Sequence, residues 1–196
     1  MNTYTKSAGK IFMRNNTYIK FENLCQKIKG YVGTKRLMEE GFSNRQIAVL
    51  AKEGYLEKIC HGYYWIMGEQ DKPKDYKCIE VCLSDSKAIV CMESALYYQG
   101  QIEEEPECLS VATERTDRSL LKMNFPVNRH YFLGKNFEIG MKQTKTEFGI
   151  YNIYDIERSI CDIVRLGIDD FGISDEMCRN KRLMKYAELL RVKGLH

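Results

Sequence analysis

Apolar positions change their period several times along the chain, and each change marks an element. Phe21, Leu24, Cys25 and Ile28 follow Tyr18 at spacings of three and four, the stripe of an amphipathic helix that Gly30 ends. Thr34 is then placed to cap a short second helix through Glu40, with Leu37 and Met38 facing inward and Gly41 as its stop. In "GFSNRQIAVLAKEGYLEKICHGYYWI", Ser43 and Gln46 form a capping-box pattern. The helix they open runs to Gly54 and carries Ile47, Leu50 and Ala51 on its buried side. Only "GF" separates helices two and three, a connection as tight as helix-turn-helix units use. The β-favouring runs "YLEKI" and "YYWIM" flank His61 and Gly62, and a glycine there suits a hairpin turn. Three helices and a hairpin in this order predict a winged helix over residues 19–68.

The polar stretch "MGEQDKPKDY" has no periodicity and carries a proline, so residues 69–75 read as a linker and 76–196 as a second domain. There "SALYYQG" predicts a short helix, and "CLSVAT", "VNRHYF" and "FEIGMKQT" with "FGIYNIY" predict strands, the last two as a hairpin. "DIERSICDIVR" has an Asp at the N-cap and Ile156, Ile160 and Val164 on one face. A closing helix over Lys181–Arg191 turns Leu183, Met184, Ala187 and Leu190 inward. The expected fold class is α+β: an N-terminal winged helix-turn-helix domain followed by a mixed α+β domain. Residues 1–18 are polar and without period, and read as a tail.

Charge sharpens this division. Met1–Lys74 carries 13 Lys/Arg against 7 Asp/Glu, a balance of +6, and the remainder 17 against 20, or −3, within a net +3. A polyanion would meet the basic half. The N-terminus "MNTYTKSAGKIF" has no apolar signal core, and no apolar run is long enough to span a bilayer, so the expected setting is the reducing cytoplasm, with no membrane partner. Eight cysteines and three histidines fall without zinc-ligand spacing, so no metal and no cofactor is expected, and most cysteines are taken as small core residues.

With Ile47, Leu50 and Ala51 inward, the helical period turns Asn44, Arg45, Ala48, Val49 and Lys52 outward. An Arg donates bidentately to guanine, an Asn pairs with adenine, and small apolar side chains lie against a thymine methyl. The free N–H groups at the starts of helices two and three, with Thr34, Lys35, Ser43 and Lys52, are candidates for phosphate contacts, Gln46 is a further DNA-binding candidate, and Lys58 and His61 are candidates for contacts from the wing. The same outward residues are what any solvated helix shows. Their order beside a tight turn and a basic half favours double-stranded DNA.

These residues resemble a family, the AbiEi-type antitoxins of bacterial type IV toxin-antitoxin systems. Nearly the whole chain takes part: "GYVGTKRLMEEGFSNRQIAVLAKEGYLEKICHGYYWI" in the first half, then "ESALYYQG", "LSVATERTDR", "VNRHYFLG" and above all "YDIERSICDIVR". The resemblance implies an N-terminal domain that represses its own operon at promoter DNA, with inverted repeats as the expected operator. It also implies a C-terminal domain that counters a nucleotidyltransferase-like toxin without requiring a stable complex. Family members often have Arg where this chain has His61.

Catalysis is not expected. A nucleotidyltransferase needs a "GS" turn and spaced aspartates to hold two metals; "CLSDSK" is the nearest approach and lacks them. No Walker loop, dinucleotide-binding glycine run, nucleophile elbow or zinc-hydrolase helix is present. Glu157, Arg158 and Asp162 are the candidates in the second domain for toxin neutralisation, although one-turn spacing of Arg158 and Asp162 also makes a plain surface ion pair. Arg115, Arg118 and Arg129 are read as a solvated loop and strand face rather than a second basic patch. The alternative function is a stand-alone transcriptional regulator whose second domain senses a ligand or mediates assembly.

Overall fold

The computed structural model describes residues 15–68, 70–167 and 180–192. The chain is mixed α+β and divides into two compact units, residues 1–71 and 72–196. The expected tail lies outside the described residues as far as position 14, whereas Asn15 to Tyr18 belong to the first helix.

In the first unit α1 spans Asn15–Lys27, β1 Tyr31–Gly33, α2 Thr34–Glu39, α3 Asn44–Lys52, β2 Leu56–Cys60 and β3 Tyr63–Ile66. Phe21 and Leu24 of α1, Leu37 of α2, Phe42, and Ile47 and Leu50 of α3 are buried in one cluster with Val32, Leu56 and Ile66. Each large side chain there contributes about 1.5 to 3 kcal/mol by leaving water, which is why helices this short hold their shape. Met38 departs from expectation: it is 48% exposed, because only Leu37 of α2 points into the cluster. The three strands form an antiparallel sheet in the order β1-β3-β2. Three-residue β1 has too few positions to show a period and was not anticipated. The turn between β2 and β3 places Gly62 at φ 83°, a conformation that costs a residue with a Cβ far more than glycine.

The second unit holds α4 (Tyr76–Ser84), β4 (Ile89–Val90), α5 (Met92–Tyr98), β5 (Leu109–Glu114), β6 (Val127–Phe132), β7 (Met141–Lys145), β8 (Ile150–Tyr154), α6 (Ile156–Arg165) and α7 (Lys181–Leu190). Its five-stranded mixed sheet runs β6-β5-β4-β8-β7. Ile89, Ala112, Phe132 and Tyr154 of the sheet share a core with Met92 and Leu96 of α5, Ile160 and Ile163 of α6, and Leu183, Ala187 and Leu190 of α7. Tyr151, on the other side of β8 by strand alternation, sits near Cys78 of α4. Helix α4 and two-residue β4 were not foreseen. Met184 was expected inward and is 39% exposed.

Candidate functional site

Helix α3 is built from its first residue. Ser43, extended at φ −79° and ψ 158°, accepts from the Gln46 backbone N–H, while the Ser43 N–H donates to Gln46 Oε1 over 2.8 Å. This reciprocal capping box satisfies two amides that a helix start otherwise leaves open. Asn44, Arg45, Ala48 and Lys52 are exposed, Val49 is half-buried, and no acidic residue lies within α3. Lys35 on α2, Lys58 on β2 and His61 in the turn are exposed as well.

Thr34 and Gln46, both expected as contact residues, give their side-chain bonds to distant parts of the fold. Thr34 does not cap α2: Gly33 holds that position without a side-chain bond, and Thr34 is the first helical residue. Its backbone N–H donates to the Gly62 carbonyl over 2.7 Å, and its hydroxyl to the same oxygen over 3.2 Å. Thr34 therefore brings the start of α2, with Lys35 beside it, to the His61–Gly62 turn. Gln46 is committed at both ends of its amide, since Nε2 donates to Thr17 Oγ1 over 3.0 Å while Oε1 serves the cap. The expected contact residues that stay exposed are Asn44, Arg45, Lys52, Lys35, Ser43, Lys58 and His61, with Val49 half-buried among them.

Thr17 and Tyr18 are the residues that sequence reasoning missed. Their signal was the four-residue step from Thr17 to Phe21, which continues the apolar stripe backward through a hydroxyl. Thr17 is buried, and Tyr18 donates its hydroxyl to Glu53, the residue that ends α3. Burial, together with that carboxylate, raises the Tyr18 phenol to about 12.

The second unit gathers its candidates differently. Asp155 caps α6 through the Arg158 N–H at 2.9 Å. Arg158 and Asp162 are not the expected surface ion pair: both side chains are 0% exposed, with Nε donating to Oδ2 over 2.8 Å. The face opposite Ile156 and Ile160 is covered by the segment before β7 and by two rings. Arg158 Nη1 donates to the carbonyls of Asn136 and Ile139, each at 2.7 Å, and the guanidinium lies 4.2 Å from the Tyr154 ring centre and 5.5 Å from that of Phe132. Gly140, at φ 79°, lets the chain pass: a Cβ there would stand 2.6 Å from Arg158 Cβ. Arg165 Nη2 approaches Asp162 Oδ1 at 3.0 Å without hydrogen-bond alignment, leaving that oxygen with charge compensation only. Burial holds the Asp162 carboxyl above its ordinary range, against the pull of Arg158 and Arg165.

Beside this pair, Ser110 Oγ donates to Glu93 Oε1, and His130 Nε2 lies 3.4 Å from the same hydroxyl. Burial lowers the imidazole despite the nearby carboxylates of Glu93 and Asp162. Serine, histidine and acid thus come together, but Ser110 is 0% exposed and cannot meet a substrate. Of the three neutralisation candidates, only Glu157 reaches the surface in part, where Asn180 Nδ2 donates to it over 3.3 Å. The three arginines expected on a solvated loop and strand face are divided as well: Arg115 and Arg118 are exposed, whereas Arg129 pairs with Asp117 at 2.9 Å and donates to Thr113.

One cleft of this unit, about 460 Å³, is bordered by the polar residues Asp85, Lys87, Thr113, Thr116, Asp117 and Arg118. Burial and the neighbouring Asp117 carboxyl raise Asp85, despite a hydrogen bond from the Lys87 N–H. Among the described residues no group of three or more His, Cys, Asp or Glu is arranged to hold a metal ion, all cysteines are free, and no helix is long and apolar enough to cross a membrane. No protein-family model matches the chain, nor does any curated protein sequence.

Proposed function

We propose that the chain is a DNA-binding autorepressor and antitoxin that reads its own promoter through α3. The observation that carries this reading is the outward row of Asn44, Arg45, Ala48 and Lys52 on a helix with a satisfied cap and no carboxylate of its own. A winged helix-turn-helix is supported by the element order, by the short turn between α2 and α3, and by a β2–β3 hairpin whose sheet is completed by β1. In that reading Arg45 and Asn44 meet base edges, Lys35 and Lys52 meet phosphates, and the His61–Gly62 turn is the wing. Inverted half-sites follow if two copies bind together.

The antitoxin half of the proposal rests on the resemblance of "YDIERSICDIVR" and its neighbours. Because Arg158 and Asp162 are buried, their role is to hold α6 in place, and any contact with a nucleotidyltransferase-like toxin falls to exposed groups. Action in the cytoplasm without a stable complex is compatible with that arrangement. A second reading, a stand-alone regulator with a small ligand in its second unit, is favoured by the cleft bordered by Asp85 and Asp117.

The test uses the full chain with the cognate toxin expressed from a foreign promoter and a reporter on the chain's own promoter. Wild type represses the reporter and restores growth; Arg45→Ala, Lys52→Ala together lose repression and keep rescue. Rescue that disappears with repression contradicts a separate antitoxin role, and repression without any rescue leaves the stand-alone regulator.

A further inference from the structure

Consecutive residues of α1 hold the two ends of α3. Thr17 Oγ1 accepts from Gln46 in the first turn, and the Tyr18 hydroxyl donates to Glu53 just past the last. Gln46 and Glu53 are seven residues apart, or about 10 Å along a helix at 1.5 Å per residue. Two fixed points that far apart set the direction of a rod, not only its position.

Neither bond is needed to keep α1 attached. Phe21 and Leu24 are buried against α2 and α3 residues, and Phe21 packs edge-on against Phe42 and Tyr55, at 6.3 Å and 6.0 Å between ring centres. Apolar packing of this kind is tolerant of small rotations, whereas hydrogen bonds weaken steeply with misalignment. The Gln46 amide has both of its ends fixed, oxygen to the cap and nitrogen to Thr17. The Tyr18 ring is itself held against Tyr55, 5.5 Å away between centres. Glu53 stands at the helix end where the macrodipole disfavours a carboxylate, so an anchoring donor is well placed there.

We infer that Thr17 and Tyr18 are positioning residues that set the angle at which α3 meets base edges, and so govern discrimination between sequences. The inference rests on the DNA-reading role proposed for α3. It separates two kinds of contact: base-edge bonds by Asn44 and Arg45 require orientation, while phosphate contacts by lysines on long flexible stems accommodate a tilted helix.

The experiment compares wild type with the isosteric double variant Thr17→Val, Tyr18→Phe, using the chain's own promoter duplex and a scrambled duplex of equal length across a salt series. The expected result is about a tenfold fall in the ratio of promoter to scrambled affinity, with scrambled affinity and the salt slope unchanged. Glu53→Gln, which keeps an acceptor for the Tyr18 hydroxyl, retains the ratio, and Glu53→Ala lowers it. Equal loss on both duplexes overturns the inference, as does a wild type that discriminates beside a double variant that discriminates equally. A wild type that binds both duplexes alike overturns the DNA reading, and the inference with it.

Discussion

Arg158 Nε donates to Asp162 Oδ2 over 2.8 Å, one helical turn apart, with neither side chain exposed. The guanidinium joins α6 to the Asn136 and Ile139 carbonyls and to the faces of two rings from β6 and β8. A charge with so many partners is a keystone of the second unit's core.

Removing one member leaves the other buried without its main partner, Asp162 keeping only Arg165. Arg158→Ala or Asp162→Ala should cost about 3 to 5 kcal/mol of folding stability, read as the shift of the second unit's urea transition. The double change Arg158→Met, Asp162→Leu should cost less than the sum of the two single losses. Single variants that unfold like wild type would place the pair outside the load it is assigned here.

His130 gives this unit a pH dependence with a definite sign. Burial holds its folded pKa below the ordinary 6.5, so the unfolded chain takes up a proton that the folded one resists. Stability is therefore full above about pH 6.5 and is lost as pH falls through the window below it. His130→Gln should flatten that part of the stability profile while the carboxylate-driven loss at lower pH remains. An unchanged profile would mean that the attraction of Glu93 and Asp162 cancels the effect of burial on the imidazole.

The cap of α3 offers a stability test independent of DNA. Ser43→Ala removes the acceptor for the Gln46 N–H and should destabilise the first unit by about 0.5 to 2 kcal/mol, whereas Ser43→Asp should be nearly neutral. Amide hydrogen exchange across Asn44–Lys52 reads the change directly. Equal protection in Ser43→Ala and wild type would show that packing of Ile47 and Leu50 alone holds the helix start.

Legibility followed range. The Ser43–Gln46 box and the Asp155 cap could be read from sequence because both partners lie three residues apart and the chemistry is local. The Arg158–Asp162 pair was equally visible as a spacing, but its burial was not, since the carbonyls of Asn136 and Ile139 and the rings of Phe132 and Tyr154 reach it only through tertiary folding. Polarity hid the start of α1: Thr17 has no apolar signal and Tyr18 shows only as the first ring of the stripe, yet their hydroxyls serve α3 from 29 and 35 residues away. Thr34 misled for the opposite reason. A hydroxyl residue before a helix suggests a cap, but its bond goes to Gly62 across the sheet.

The most direct measurement is binding of the full chain to its own promoter duplex, titrated against salt, for wild type, Arg45→Ala and Lys52→Ala. If α3 reads DNA as proposed, Arg45→Ala costs about 1 to 3 kcal/mol on the promoter and relaxes sequence preference, while Lys52→Ala weakens all duplexes alike and lowers the salt slope by about one. Unchanged promoter affinity in the variant carrying both substitutions would contradict the account.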